Sequence, residues 1–140
     1  MSLSDHLRYL RAMRGGLDTR TIAAALDMEK PGPINHAEVQ YRPVRDPELV
    51  AKLAEYYGRP LEEFQWHNAR PRKFLTFYAA HALETKEPAS LTLRSGEVLD
   101  GQIVWWDLGS IGLKMDDGRT IVVMRHAITD WPDATNWEDV

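Results

Sequence analysis

Few residues in this sequence have the types and spacing that could do chemistry. Cysteine is absent, which excludes disulfides and thiol chemistry. No glycine-rich phosphate-binding loop occurs. The five histidines do not follow the short spacing of metal ligands; they are His6, His36, His67, His81 and His126. The sequence therefore predicts no catalytic residue, no metal, no cofactor and a protein that is not an enzyme.

The carboxylates are predicted to shape turns rather than to form an acid–base pair. Asp116 and Asp117 precede Gly118, a combination typical of a tight β-hairpin turn with positive φ. Asp107 follows a long apolar run and is expected to fix the next turn by accepting bonds from backbone N–H groups. Ser110 has no nearby base in the sequence.

Composition indicates a globular protein of one or two small domains. Hydrophobic residues make up 44% of the 140 residues and charged residues 27%. The net charge is −4, and residues 88–140 carry 4 basic and 9 acidic side chains. Because such a surface repels phosphate, any contact with nucleic acid must use local basic patches. No apolar run approaches membrane-spanning length, and the absence of cysteine is consistent with a cytoplasmic protein.

The apolar pattern has helical periodicity in the first part of the chain. Asp18 or Thr19 caps the second predicted helix, and Asp46 caps the fourth, with Pro47 at its first position. A polar, basic stretch at 68–73 indicates a boundary between domains. The predicted helices cover 5–14, 18 or 19 to 26, 34–40, 47–57, 60–66 and 71–85.

The last third of the chain alternates with period two and is interrupted by turn residues, which indicates short strands. Five strands in some forty residues favour a small, strongly bent antiparallel barrel. Gly101 marks a sharp bend or a close approach of another backbone. The predicted strands are 91–94, 98–106, 111–115, 121–124 and, after a break at Arg125-His126, 127–131.

The order of these motifs resembles the Sm-like family, in particular its bacterial Hfq branch. The resemblance is carried by Gly96, Leu99-Asp100-Gly101-Gln102-Ile103, Trp106-Asp107, Leu113-Lys114 and Val123-Met124-Arg125-His126-Ala127-Ile128. It implies a homo-oligomer, hexameric in the Hfq branch, in which the fourth strand of one subunit pairs with the fifth strand of the next. The interface residues so implied are Ile121, Val122, Val123, Met124, Ile128 and Trp131.

The resemblance also implies binding of single-stranded RNA at a pore face formed by Gln102, Arg125 and His126. His126 could equally be a packed, hydrogen-bonded turn residue. The sequence departs from the Hfq pattern at Gly109, where the family has an aromatic residue that stacks uridine, and at Leu108, where it has glutamine.

Trp105 and Trp106 must point to opposite faces of their strand. One is expected in the core. The other either stacks a base or is buried by the N-terminal domain, and burial is the favoured alternative.

The first half of the chain resembles the Cro/CI-like (XRE-type) helix-turn-helix regulators. The carrying residues are Leu10-Arg11, the run Leu17 to Leu26, Ile34, Ala37-Glu38, Pro43 and the run Leu53 to Gly58. Pro31-Gly32-Pro33 departs from the family, which places side chains that read bases at this point. The DNA-contacting residues implied are Lys30, Asn35, His36, Gln40, Arg42 and Arg45.

Taken together, the sequence predicts an α+β protein and a cytoplasmic, non-enzymatic regulator. An all-α five-helix helix-turn-helix domain (1–67) and a linker (68–73) precede a helix and five-stranded Sm-like barrel (74–132), and an acidic tail (133–140) follows. Its partners would be copies of itself, single-stranded RNA and duplex DNA. The alternative is an oligomeric assembly module that has lost both nucleic-acid surfaces and holds protein partners.

Overall fold

A computed structural model describes residues 1–137. The chain divides by internal contacts into two compact units. Ser2–Pro71 form the helical unit, and Met1 with the described residues from Arg72 onward form the sheet unit. The predicted domain limits at 67 and 74 stay a prediction, because contacts do not measure where independent folding begins. No helix within the described residues is both long and apolar enough to cross a bilayer.

The helical unit contains five helices, as the apolar pattern predicted. Side-chain caps begin three of them: Ser2 accepts from the N–H of Asp5, Asp18 from that of Arg20, and Asp46 from those of Glu48 and Leu49. Its identity as a helix-turn-helix domain stays a prediction. The helices are α1 (Leu3–Met13), α2 (Thr19–Ala25), α3 (Gly32–Ala37), α4 (Pro47–Tyr57) and α5 (Leu61–Asn68).

Each helix of this unit contributes at least one fully buried side chain to a common core, among them Leu7, Ile22, Ile34, Leu53 and Phe64. The core thus closes only when all five helices pack together. Burying each such side chain stabilises the fold by about 1.5–3 kcal/mol before entropy is counted.

A buried ion pair joins α1 to the end of α3. The Arg11 guanidinium donates to both carboxylate oxygens of Glu38, at 2.8–3.1 Å, and to the carbonyl of Leu17. Glu38 is buried, and the hydrogen bonds to its carboxylate raise the pKa of Arg11 above its ordinary value. Because the guanidinium donates to both oxygens of the buried carboxylate, this pair holds the end of α3 against α1.

The sheet unit begins with a helix and continues as five antiparallel strands, as predicted. They are α6 (Arg72–Thr85), β1 (Ala89–Leu93), β2 (Val98–Trp106), β3 (Ser110–Lys114), β4 (Thr120–Met124) and β5 (Ile128–Asp130). The predicted fifth strand was too long at its start, because Arg125–Ala127 form a short 3-10 helix. The strand order is β4-β3-β2-β1-β5.

The sheet is open, which corrects the expectation of a closed barrel. Within the described residues β4 pairs only with β3, and β5 pairs only with β1. Its one covered face carries the apolar core, which includes Leu91, Ile103, Ile111, Leu113 and Ile128, all fully buried. β4 and β5, at the two ends of the strand order, therefore each keep one unpaired backbone edge.

The Asp-Gly hairpin between β3 and β4 is longer than the tight primed turn that was predicted. Gly118 donates to the carbonyl of Met115, and the Met115 N–H donates to Arg119. In this loop Gly118 alone has positive φ, 87°, whereas a type I′ turn needs two such residues. The loop is a three-residue turn closed by glycine. The β1–β2 hairpin repeats this arrangement at Gly96.

Trp105 lies over Gly112 on the outward side of the sheet. A β-carbon added at Gly112 would come within 2.1 Å of the indole Nε1, so glycine leaves the space that the ring occupies. The register shifts between Ile103 and Trp105, and Trp105 remains 38% exposed. Trp106 packs against the core. The outward tryptophan is therefore Trp105, and its burial by the N-terminal domain stays a prediction.

Candidate nucleic-acid interfaces

The turn after β2 is held by one aspartate, as the sequence predicted. Asp107 Oδ1 accepts from the backbone N–H groups of Gly109 and Ser110, both at 2.7 Å, and from the Ser110 hydroxyl at 3.1 Å. The bonds from Gly109 and Ser110 lower the pKa of Asp107 below its ordinary 3.8. This turn leaves the side chain of Leu108 75% exposed.

Arg125 lies beneath this turn and is only 6% exposed. Its guanidinium donates to the Thr76 hydroxyl at 2.7 Å, the Arg72 carbonyl at 3.0 Å and the Asp107 carbonyl at 2.9 Å. The backbone N–H of Arg125 donates to the carbonyl of Gly109. Arg125 thus ties α6, the Asp107 turn and the 3-10 helix together. In this arrangement its charge supports the protein instead of facing a ligand.

Of the other two candidates for the pore face, His126 follows Arg125 in the 3-10 helix, whereas Gln102 lies apart from the turn. His126 is exposed, and its carbonyl accepts from the Arg94 guanidinium at 3.0 Å. Gln102 pairs with Lys114, five residues before Asp107. At about 3.3 Å per strand residue this places it roughly 15 Å from the turn. Gln102 instead lines a separate cavity of ≈ 430 Å³ with Lys86 and Lys114.

The candidate interface residues divide by the direction of their side chains. Val122 and Met124 are exposed on β4, at 60% and 47%. Val123, Ile128 and Trp131 are buried in the core of their own unit. Only their backbone groups could therefore pair with a strand of another subunit. Ile121 is half-buried and packs against the same core. Strand alternation explains this division for β4, because neighbouring residues point to opposite faces.

Four of the six candidate DNA contacts meet at one hollow of the helical unit, where α3 is followed by the loop before α4. His36, Gln40, Arg42 and Arg45 line this hollow, whose volume is ≈ 540 Å³. Lys30 and Asn35 do not line it. Asn35 accepts from the Thr19 hydroxyl at 2.7 Å, which links α3 to the start of α2.

The loop at 40–46 is fixed by side chains that bond its backbone. The Gln40 amide donates to the carbonyls of Arg42 and Pro43, at 2.8 and 2.6 Å. Asn68 of α5 accepts from the Val44 N–H and donates to the Val44 carbonyl, both at 2.8 Å. Gln40 therefore holds the loop that presents the two arginines.

Some of the residues that position these sites carry no direct signal in the sequence. The sequence predicts Asn68 as part of a linker and Thr76 as one residue of an amphipathic helix. Their partners lie 24 and 49 residues away in the chain. A hydrogen-bonding side chain on a partly apolar helix face was the only sign that could have suggested either role.

The segment predicted as an acidic tail begins with residues of the sheet unit's core. Ala134 is buried, and the Trp137 ring lies 5.4 Å from that of Tyr78 and 5.1 Å from that of His81. Residues 138–140 lie outside the described part of the chain.

Comparison with known proteins bears on the sheet unit alone. A family model described as Hfq related matches residues 82–130, which run from the end of α6 to the end of β5. No curated protein matches the chain. The C-terminal part of the chain is thus similar to the Hfq-related family over the strands that carried the resemblance in the sequence.

Proposed function

We propose that this protein is a non-enzymatic regulator that binds nucleic acid and works as an oligomeric, Sm-like ring. The observation that supports it best is the strand order β4-β3-β2-β1-β5, together with the Hfq-related match over the same residues. Both ends of that order are unpaired within the described chain. A ring in which β4 meets β5 of the next copy pairs these edges, and open edges otherwise promote aggregation.

The side chains beside β4 favour this use of the edge. Val122 and Met124 are exposed apolar residues on a strand whose backbone donors and acceptors are half unpaired. A neighbouring strand would cover both features at once. Six copies are the number proposed, by similarity to the Hfq branch.

Native mass measurement of the full chain tests the ring. We expect an oligomer for the unaltered protein and smaller species for Val122→Asp, because a buried carboxylate without a partner is costly at an interface. Val98→Asp is the matched control, since Val98 is 51% exposed on β2 and distant from the β4 edge in the strand order. A folded monomer of the unaltered protein at high concentration would contradict the ring.

Ile128→Asp is not a useful variant for testing the interface, although Ile128 lies on the fifth strand. Ile128 is fully buried in its own subunit, so the substitution is expected to unfold the sheet unit. Loss of the oligomer in that variant would say nothing about the edge.

RNA contact is proposed at the exposed side of the Asp107 turn. Leu108 and His126 are the exposed side chains there, with Arg125 as the support behind them. Labelled oligo-U and oligo-A should bind with affinity that falls as salt rises, and His126→Ala should weaken binding. The absence of binding at low micromolar protein and low salt would refute this contact.

DNA contact is proposed separately for the helical unit, with His36, Arg42 and Arg45 meeting the backbone or base edges. What favours it is their convergence on the surface next to α3. A ring would present several such surfaces together and raise a weak affinity by avidity. Duplex DNA should then bind the oligomer more tightly than the Val122→Asp species.

The second candidate is an assembly module that binds protein partners and no nucleic acid. Two observations favour it: Arg125 is used internally, and Gly109 stands where the Hfq branch has its stacking aromatic residue. An oligomer that binds neither RNA strand nor duplex DNA at low salt would select this candidate.

A further inference from the structure

The hollow beside α3 combines an apolar interior with a cationic rim. Ala37, Val44 and Leu49 are buried residues in its lining, and the rings of Pro33, Tyr41 and Pro43 contribute apolar walls. Its volume of ≈ 540 Å³ falls within the range of roughly 300–1,000 Å³ typical of small-molecule sites. The lining therefore suits a ligand with a flat apolar body.

Two arginines on the rim make no side-chain hydrogen bond or ion pair within residues 1–137. Arg42 and Arg45 are exposed, and both line the hollow. Asp46, the one acidic residue of the lining, directs Oδ1 to the N–H groups of Glu48 and Leu49 at the start of α4. The rim is thus net positive, which suits an anionic group such as phosphate.

The loop that carries the arginines is fixed before any ligand arrives. Gln40 and Asn68 hold its backbone by four hydrogen bonds of 2.6–2.8 Å, and the Ser4 hydroxyl donates to the Gln40 carbonyl. A loop held in place lowers the entropy lost on binding.

We propose that this hollow binds one nucleotide unit with its base unstacked. Arg42 and Arg45 take the phosphate, and the base lies against Tyr41 and the proline rings. A duplex could meet the two arginines with its backbone but would leave the apolar interior of the hollow empty, because its bases remain stacked inside the helix. The nucleotide could be free in solution or part of a single strand, and both carry the same chemistry.

Calorimetric titration of the full chain tests the proposal with four probes: adenosine monophosphate, a short oligo-A, inorganic phosphate and a duplex of mixed sequence. We expect the monophosphate to bind at or below about 1 mM and inorganic phosphate to bind at least roughly tenfold more weakly. An oligonucleotide that binds at least tenfold more tightly than the monophosphate would identify the single strand as the source. Equal affinity would identify the free nucleotide.

Variants connect the binding to this hollow. The double change Arg42→Gln and Arg45→Gln should weaken the monophosphate by roughly tenfold or more, since a hydrogen bond to a charged group contributes about 1.5–3 kcal/mol. Tyr41→Leu should weaken it by a similar factor if the base stacks there. Arg8→Gln, an exposed arginine on α1 away from the lining, is the matched control and should bind as before.

Three results would overturn the proposal. They are no binding of either nucleotide probe, phosphate binding as tight as that of the monophosphate, and equal weakening in the Arg8 control. A duplex that binds more tightly than both nucleotide probes and is lost in the arginine pair would overturn it as well, and would make the hollow a seat for the DNA backbone. The native mass of the oligomer does not depend on any of these four results. Failure of the nucleotide proposal would therefore not contradict the proposed ring.

Discussion

Two regions of this molecule place arginines beside a turn and use them in opposite ways. In the Asp107 turn, Arg125 is buried and donates to three groups of its own unit. In the loop at 40–46, the side-chain amides of Gln40 and Asn68 fix the backbone. Arg42 and Arg45 remain exposed. A fixed turn can therefore use its cation as the support or keep it for a ligand.

The comparison affects how the Sm-like motif is interpreted in this chain. The basic residue of the motif, Arg125, is predicted from the sequence to contact RNA. The geometry gives Arg125 the role of a support, whereas Gln102 lies in a separate cavity. Exposed side chains near the turn, Leu108 and His126, are then the ones that could meet RNA directly.

The largest effect is expected from Arg125→Ala. The change leaves the Thr76 hydroxyl and two backbone carbonyls without their buried donor, and we expect a loss of roughly 3 kcal/mol in the unfolding free energy of the sheet unit. Urea unfolding followed by tryptophan fluorescence measures it, because four of the five tryptophans lie in this unit. A loss under about 0.5 kcal/mol, the size of an ordinary surface change, would mean that Arg125 is not the support.

Asn68→Ala should have the next largest effect, this time on the helical unit. Val44 is buried, and the change removes the partner of both its N–H and its carbonyl. We expect a loss of about 1–2 kcal/mol and faster amide exchange at Val44. Asn35→Ala, at an exposed position of α3, serves as the control and should cost less. Unchanged exchange at Val44 would show that the loop does not depend on Asn68.

Asp107 should make the stability of the sheet unit depend on acid. Its folded pKa is lowered by the bonds from Gly109 and Ser110, so the stabilisation is present above its ordinary pKa of 3.8 and is lost as pH falls through the folded pKa. Asp107→Asn keeps an oxygen acceptor without the charge. The difference in unfolding free energy between the two proteins should shrink as pH falls below 3.8, and a difference that stays constant with pH would contradict this account.

The smallest effect on stability is expected from Arg42→Gln and Arg45→Gln. Neither side chain makes a hydrogen bond or ion pair within the described residues, so each change should alter the unfolding free energy by less than about 0.5 kcal/mol. Thermal unfolding followed by circular dichroism measures this. A loss as large as that of Arg125→Ala would remove the contrast between the two regions.

Local patterns in the sequence predicted most of the fold. The caps at Asp18 and Asp46 placed the starts of α2 and α4, and the period-two alternation placed β1 to β4. Asp107 was assigned correctly from its position ahead of a turn. Each of these depends on residues within a few positions of one another, which is the range over which capping and alternation act.

Contacts between distant residues decided the rest. The periodicity could not show that Arg125 would meet Thr76, that Asn68 would hold Val44, or that Trp105 would lie on Gly112. It also could not show that Ile128 and Trp131 would face inward while Val122 faces outward. The sequence by itself determined the helices, the strands and the Sm-like order of motifs. Only the tertiary structure decided which polar side chains are used internally and which remain exposed, because that depends on which surfaces meet when the elements pack.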